Sequence, residues 1–147
     1  NAQDFEEWAM PFLLDLGHAL KKKFPDLPLL VFARGVADPH GVNAKLAQVY
    51  DVISIDTQAD PEQVRSNLGS DICLQGNLDP ALLGPSDDLD PTAGTQSLQS
   101  HVNQMLTSFN APSSPLIANL GEGLGGKEDP ALVSAFVDAV HDFSASS

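Results

Sequence analysis

Asp51-Val-Ile-Ser-Ile-Asp56, then Asp60-Pro61 through Leu68-Gly69, then Asp71-Ile-Cys-Leu-Gln-Gly76 follow one another closely and decide the fold. The first and last are short apolar runs, which predict strands covered on both faces, as in a parallel sheet. The middle segment predicts a helix. Asp60 stands at the cap, Pro61 in the first turn, where its missing N–H costs nothing, and Gly69 at the stop. Strand, helix and strand in this order argue for a parallel α/β arrangement.

The same alternation continues outward. Upstream, Pro28-Leu-Leu-Val-Phe-Ala-Arg34 predicts another buried strand, followed by a loop over Gly35–Gly41 and a short helix over Asn43–Val49. Before it, Phe5, Trp8, Phe12, Leu16 and Leu20 recur at spacings of three and four, which predicts a helix with these side chains in the core. Asp4 with Glu7 resembles a capping pair, Lys21, Lys22 and Lys23 suit the negative end of the dipole, and Pro25 ends the helix. Pro11 conflicts with this reading, since a proline inside a helix removes a hydrogen bond. Downstream, Gly84–Gly94 reads as a loop and Leu98, Val102, Met105, Leu106 and Phe109 as a helix. Pro115–Leu120 reads as a fourth strand. Asp129-Pro130 opens a last helix that buries Leu132, Val133, Phe136, Val137 and Val140, and the Ser-rich end from Ser144 frays. The expected order is α-β-α-β-α-β-α-β-α in a single domain over 1–147, with no internal repeat and no dividing linker.

Length and charge narrow the reading. A complete eight-fold β/α barrel takes about 250 residues, and this chain has 147, so only part of a barrel fits. Seven basic residues face 20 acidic ones, a net charge of −13, and Arg34 and Arg65 are the only arginines. Nucleic-acid binding and attraction to an anionic membrane are excluded on that balance. A hydrophobic content of 42% against 18% charged residues argues for a packed core rather than disorder. Cys73 is the single cysteine, which rules out an internal disulfide framework and a cysteine-rich zinc site and fits a reducing compartment. No apolar run approaches a membrane span of about 20 residues, and no signal peptide is evident. The chain starts at Asn1 rather than Met, the mark of a polypeptide processed or cut upstream.

Few motifs point to chemistry. Gly121-Glu-Gly123-Leu-Gly-Gly126-Lys127 fits G-x-G-x-x-G and nearly fits a phosphate-cradling P-loop. Glu128, however, follows Lys127 where Ser or Thr would hold magnesium, and both Glu122 and Glu128 would repel phosphate. The motif is therefore read as a tight strand-to-helix loop. Asp87, Asp88 and Asp90 lack the spacing of a calcium loop and read as a hydrated loop. His18, His40, His101 and His141 are scattered without metal-ligand spacing, so no metal site is expected. His18 and His141 are placed at surface or boundary positions. His40, in the loop after the first strand, occupies a place where active sites occur but has no evident partner. Cys73 sits in a predicted strand with no flanking cation, which argues against a reactive thiol.

Five blocks read together say more. They are Asp4-Phe5-Glu6-Glu7 with Pro11-Phe12, Val31-Phe32-Ala33-Arg34, Leu74-Gln-Gly-Asn-Leu-Asp-Pro-Ala-Leu82, Ile117-Ala-Asn-Leu-Gly121, and Ala135-Phe-Val-Asp-Ala-Val-His141. In order and spacing they resemble the C-terminal half of the uroporphyrinogen decarboxylase family, over nearly the whole chain. The resemblance also accounts for Pro11, because that family has a proline in the corresponding helix. It implies half of a TIM-type (β/α)8 barrel with about four parallel strands. It further implies a cofactor-free, often dimeric enzyme that removes carboxyl groups from the four acetate side chains of uroporphyrinogen.

The family's site, as the resemblance has it, combines paired arginines, an aspartate, a tyrosine and a serine from the part before Asn1 with a late histidine in N-L-G-H-G. Here Asn119-Leu-Gly-Glu122-Gly123 puts Glu122 in the histidine's place. A carboxylate there would face an anionic substrate, where histidine can donate a proton or a hydrogen bond. Ile55-Asp56-Thr57-Gln58 also lacks the tryptophan of the family's G-L-D-W, and the loops before Gly94 and at Gly125 differ. Two functions follow. One is a non-catalytic structural subunit of a larger assembly, for which a plastid pigment–protein complex is one host. The other is the C-terminal part of an active, cofactor-independent decarboxylase. Either way a partner must cover the open sheet edges: an N-terminal half, a second copy or a host complex. The expected compartment is plastid or cytoplasm.

Overall fold

The computed structural model describes residues 2–36, 41–84 and 91–145, and its four strands form one parallel sheet in the order β1-β2-β3-β4. They are β1 (Leu30–Phe32), β2 (Val52–Ser54), β3 (Cys73–Leu78) and β4 (Leu116–Leu120). β1, β2 and β4 are shorter than the runs read from the sequence, while β3 is shifted past its own to Leu78, because ladder pairing, not hydrophobicity, sets strand ends. The helices are α1 (Ala2–Asp4), α2 (Met10–Lys23), α3 (Val42–Leu46), α4 (Pro61–Leu68), α5 (Pro91–Ser108) and α6 (Pro130–Ala145). This is an open α/β sheet with flanking helices, the form of a partial barrel.

Residue alternation splits the sheet into two faces. Val31, Ile53, Leu74 and Leu116 stand side by side in the ladder, and their side chains meet the helices. With Leu46, Val64, Leu98, Val102 and Phe109 they build the core. The next rung, Phe32, Ser54, Gln75 and Ile117, points to the other face. There the Gln75 side-chain amide donates to Ser54 Oγ at 3.2 Å, while Phe32 and Ile117 remain largely exposed.

Local chemistry fixes the helix ends. Asp60 accepts hydrogen bonds from the Glu62 and Gln63 N–H groups, with Pro61 following and Gly69 at φ 78° as the stop. Asp129 accepts from Ala131 N–H ahead of α6. Pro11 causes no break. Residues Phe5–Ala9 are π-helical, Met10 N–H bonds to Phe5 O, and the proline falls in the first turn of α2, where no helical donor is required of it.

Several expectations are corrected, among them Val137 of α6, expected in the core but 44% exposed. Asp4 has helical dihedrals and makes no side-chain cap bond, because the helix already runs from Ala2. Trp8, Phe12 and Leu16 are 69%, 73% and 54% exposed instead of core. The buried face of α2 is a different one: Met10 is buried, and Gly17 lies against Val49 and the Tyr50 ring. Tyr50 Oη donates to Leu13 O at 2.7 Å, and burial raises its phenol above the ordinary value. Finally, Pro91–Gly94, read as loop, belongs to α5, and a 3₁₀ turn over Pro80–Leu83 follows β3.

Arg65 ties the N-terminal ends of the strands together. It is buried, and its guanidinium donates to Phe109 O (3.1 Å), Gly69 O (3.0 Å), Ile72 O (2.7 Å) and Pro115 O (3.0 Å). One side chain thus joins the end of α4, the entry to β3, the end of α5 and the entry to β4.

Candidate functional site

The C-terminal ends of parallel strands carry the loops where barrel chemistry is built. Here Arg34 follows β1, Asp56 follows β2, Asn77 lies near the end of β3 and Glu122 follows β4. The edge strands β1 and β4 lie three strand spacings apart, about 14 Å in a flat sheet. Arg34 and Glu122 nevertheless meet: Arg34 Nη2 donates to Glu122 Oε2 at 2.9 Å. The pair spans the open face. Both side chains are well exposed, so its contribution to stability is small, about 0–1 kcal/mol.

Behind this pair the loops are fastened by buried polar groups. Asp56 is 5% exposed; its Oδ2 accepts from Gly35 N–H at 2.7 Å and its Oδ1 from Gln58 N–H at 3.0 Å. It therefore holds the residue next to Arg34 against the β2 loop. The Asn77 side-chain amide donates to Asp56 O and Ala59 O, both at 2.9 Å. Gly121 N–H donates to Leu78 O at 2.8 Å, and a Cβ at Gly121 would lie 2.6 Å from Thr57 N. Only glycine fits there, which sets the direction in which Glu122 leaves β4. A cavity of about 520 Å³ opens beside Glu122, with Phe32, Ser54, Gln75 and Asn119 on the open sheet face and Val133 and Phe136 from α6 in its lining.

The glycine-rich loop closes on itself. The Glu128 carboxylate accepts from the N–H groups of Gly125 (2.7 Å), Gly126 (2.8 Å) and Lys127 (3.0 Å). These donors, that of Gly125 foremost, hold its carboxyl below the ordinary glutamate value. The N–H cluster that a phosphate would need is filled by the chain's own acid.

Of the residues singled out from the sequence, Glu122 lies on the rim. His40, Asp87, Asp88 and Asp90 lie outside the described residues. His18, His101 and His141 are exposed on three different helices and do not converge; His101 Nδ1 bonds Ser97 O. Among the described residues no group of three or more His, Cys, Asp or Glu side chains is placed to hold a metal ion, and no helix is long and apolar enough to cross a membrane. Cys73 does have a cation nearby, Arg65 from α4, contrary to the reading that none flanks it. Burial nevertheless outweighs that charge and pushes the thiol up. Sequence reasoning missed Asp56 and Asn77. The signal for Asp56 was a polar residue closing an apolar run at the functional end of a strand.

Residues 1–143 match the family described as Uroporphyrinogen decarboxylase (URO-D). The chain is similar to proteins named uroporphyrinogen decarboxylase, at 35% identity over 142 residues in Salinibacter ruber, 36% over 148 residues in Ovis aries and 35% over 148 residues in Homo sapiens. Each alignment covers 97% of this chain and 37% of the relative, so the chain spans a little over a third of their length.

Proposed function

The chain belongs to the uroporphyrinogen decarboxylase family, and from that premise we propose that it is a half-barrel scaffold whose rim supplies no catalytic residue of its own. The observation that carries this reading is the pairing of Glu122 with Arg34. Where the family pattern has a histidine that can donate, Glu122 offers only acceptors, and it engages the guanidinium that could have met a substrate carboxylate. A porphyrinogen bearing acetate side chains would meet a negative group at that point. The chemistry of any assembly containing this chain comes from residues outside it, and the chain serves as a structural subunit, with a plastid pigment–protein complex one such host.

A second reading rests on the relatives. Identities of 32–36%, spread over 95–97% of the chain, favour the C-terminal part of a working decarboxylase that converts uroporphyrinogen to coproporphyrinogen without a cofactor. In that reading the C–C bond to each acetate carboxyl breaks, carbon dioxide leaves, and a proton takes its place.

Binding separates the two. The chain, together with its native partners, is titrated anaerobically with uroporphyrinogen, in parallel with Glu122→His. The scaffold reading expects no saturable binding to the wild type and a gain in the variant. Binding by the wild type as tight as by the variant would overturn it in favour of the enzyme.

A further inference from the structure

The chain carries five lysines and two arginines against 20 acidic residues, and three of those lysines, Lys21, Lys22 and Lys23, form the last turn of α2. Most other cations are engaged within the chain. Arg34 meets Glu122, Lys45 meets Glu6, and Arg65 is buried on four carbonyls. Lys21 is engaged too: its Nζ donates to Leu27 O at 2.9 Å and to the Asp51 carboxylate. Lys22 and Lys23 are exposed, and among the described residues neither meets a carboxylate. Lys23 Nζ lies 5.2 Å from the centroid of the Phe24 ring.

Beside these two lysines the chain turns from α2 toward β1 and leaves apolar side chains in water. Phe24 and Leu27 are 47% and 46% exposed, and with Pro25 they line a groove bordered by Lys23 and Asp26. The turn is held in place. Phe24 N–H donates to Leu20 O at 2.7 Å, Leu27 N–H donates to Phe24 O at 3.2 Å, and the Lys21 ammonium clamps Leu27 O. Just beyond it, Leu29 N–H donates to the same Asp51 carboxylate. A turn held this way loses little freedom when something docks on it. The dipole of α2 accounts for the lysines. It does not account for a phenylalanine and a leucine left in water next to them. The turn leads into β1 at the N-terminal ends of the strands, away from the Arg34–Glu122 rim, whereas barrel chemistry belongs to the C-terminal side.

Size and charge select the occupant. Phe24 and Leu27 together leave on the order of 150 Å² of apolar surface in water, the footprint of one large side chain. A folded partner takes about 800 Å² on each side. Two free lysines neutralise at most two phosphates, a weak hold on nucleic acid. They also fall short of the cluster of about 4–8 basic residues that marks an anionic-lipid site. A short peptide with two carboxylates and one aromatic or leucine side chain matches what is there, and Asp26 turns its acids toward Lys22 and Lys23. The charge of −13 on the whole chain does not forbid this, because at physiological salt charges beyond about 8 Å are largely screened.

We propose that Lys22, Lys23 and the Phe24–Leu27 turn are a docking site for a short acidic peptide segment of a partner protein, anchored by one aromatic or leucine side chain. The proposal depends neither on Glu122 nor on how the sheet edges are covered.

The test selects a library of random peptides, displayed on phage, on the full chain, with the Lys22→Glu/Lys23→Glu double variant as counter-selection. The expected consensus places at least two carboxylates beside one aromatic or leucine residue. The synthetic consensus peptide, labelled with fluorescein, is then titrated by anisotropy. Saturable binding is expected, at least about 10-fold weaker to the double variant and about 3-fold weaker to Lys22→Glu alone. Phe24→Ser, with circular dichroism confirming the fold, weakens it at least about 5-fold. Lys127→Glu, at an exposed lysine outside the site, changes the net charge as much as Lys22→Glu and leaves the affinity unchanged. No consensus, a consensus without acids, equal losses from Lys22→Glu and Lys127→Glu, or retention on phosphatidylserine vesicles that the double variant abolishes would each overturn the proposal.

Discussion

Replacing Arg65 with methionine tests how the strands are held at their N-terminal ends. Methionine keeps much of the stem volume and removes all four hydrogen bonds, to Phe109, Gly69, Ile72 and Pro115 carbonyls. The bond to Phe109 O is buried and the other three are part-buried. An orphaned buried acceptor costs about 1–3 kcal/mol, and water recovers part of this at the part-buried ones, so the carbonyls lose roughly 5 kcal/mol. Burial also disfavours the guanidinium itself, whose pKa is lowered. Deleting a charge that is costly to bury returns a few kcal/mol. The net expectation is a loss of about 3 kcal/mol, within a total stability that for domains runs about 5–15 kcal/mol. For a chain of this length that corresponds to a fall of about 10 °C in Tm. Lysine has three donors on one nitrogen and cannot span four carbonyls, so Arg65→Lys is expected to recover about half of the loss. Urea unfolding followed by circular dichroism measures both, with an unchanged slope showing that the unfolded state is the same. The reasoning fails if Arg65→Met falls within about 0.5 kcal/mol of wild type, as an ordinary surface substitution would, or if lysine matches arginine.

Three further perturbations are specific. Gly121→Ala places a Cβ 2.6 Å from Thr57 N, so β4 and the β2 loop must separate; the expected loss is about 1–3 kcal/mol, measured by urea unfolding. Asp51 is held below its usual pKa, first by the Lys21 hydrogen bond and then by the Leu29 N–H. A folded-state pKa below the unfolded value means stability that is present above about pH 4 and lost as pH falls through the folded value. The gap between wild type and Asp51→Asn is therefore expected to be no more than about 1 kcal/mol at pH 6, since the pair is partly exposed. It should narrow as pH falls through the lowered folded-state value, and a gap that is flat in pH would contradict the pairing. Glu128→Gln is expected to speed hydrogen exchange at the Gly125, Gly126 and Lys127 amides, which now bond the carboxylate. Unchanged exchange there would mean the loop is held by other contacts.

The fold was legible because punctuation and periodicity agreed around residues 51–76: Asp60, Pro61 and Gly69 act as cap, first turn and stop, and the flanking apolar runs pair in parallel. The first helix shows the limit of periodicity. Helical spacing puts Trp8, Phe12 and Leu16 in the core because it reveals that a face is apolar, not whether a neighbour covers it, and here no described residue does. The rim was half legible. Glu122 stood out only against the family pattern; its partner Arg34 comes from the opposite edge of the sheet, 88 residues away in sequence. Asp56 could be seen as the polar end of a strand, but its bond to Gly35 depends on how two loops meet.

The most direct test of the half-barrel account is turnover. This chain, assembled with the complementary half of a relative, is incubated anaerobically with uroporphyrinogen, and coproporphyrinogen is followed by chromatography after oxidation. The account predicts no product with the wild-type chain and its appearance with Glu122→His. Turnover by the wild-type assembly equal to that of the variant would contradict it.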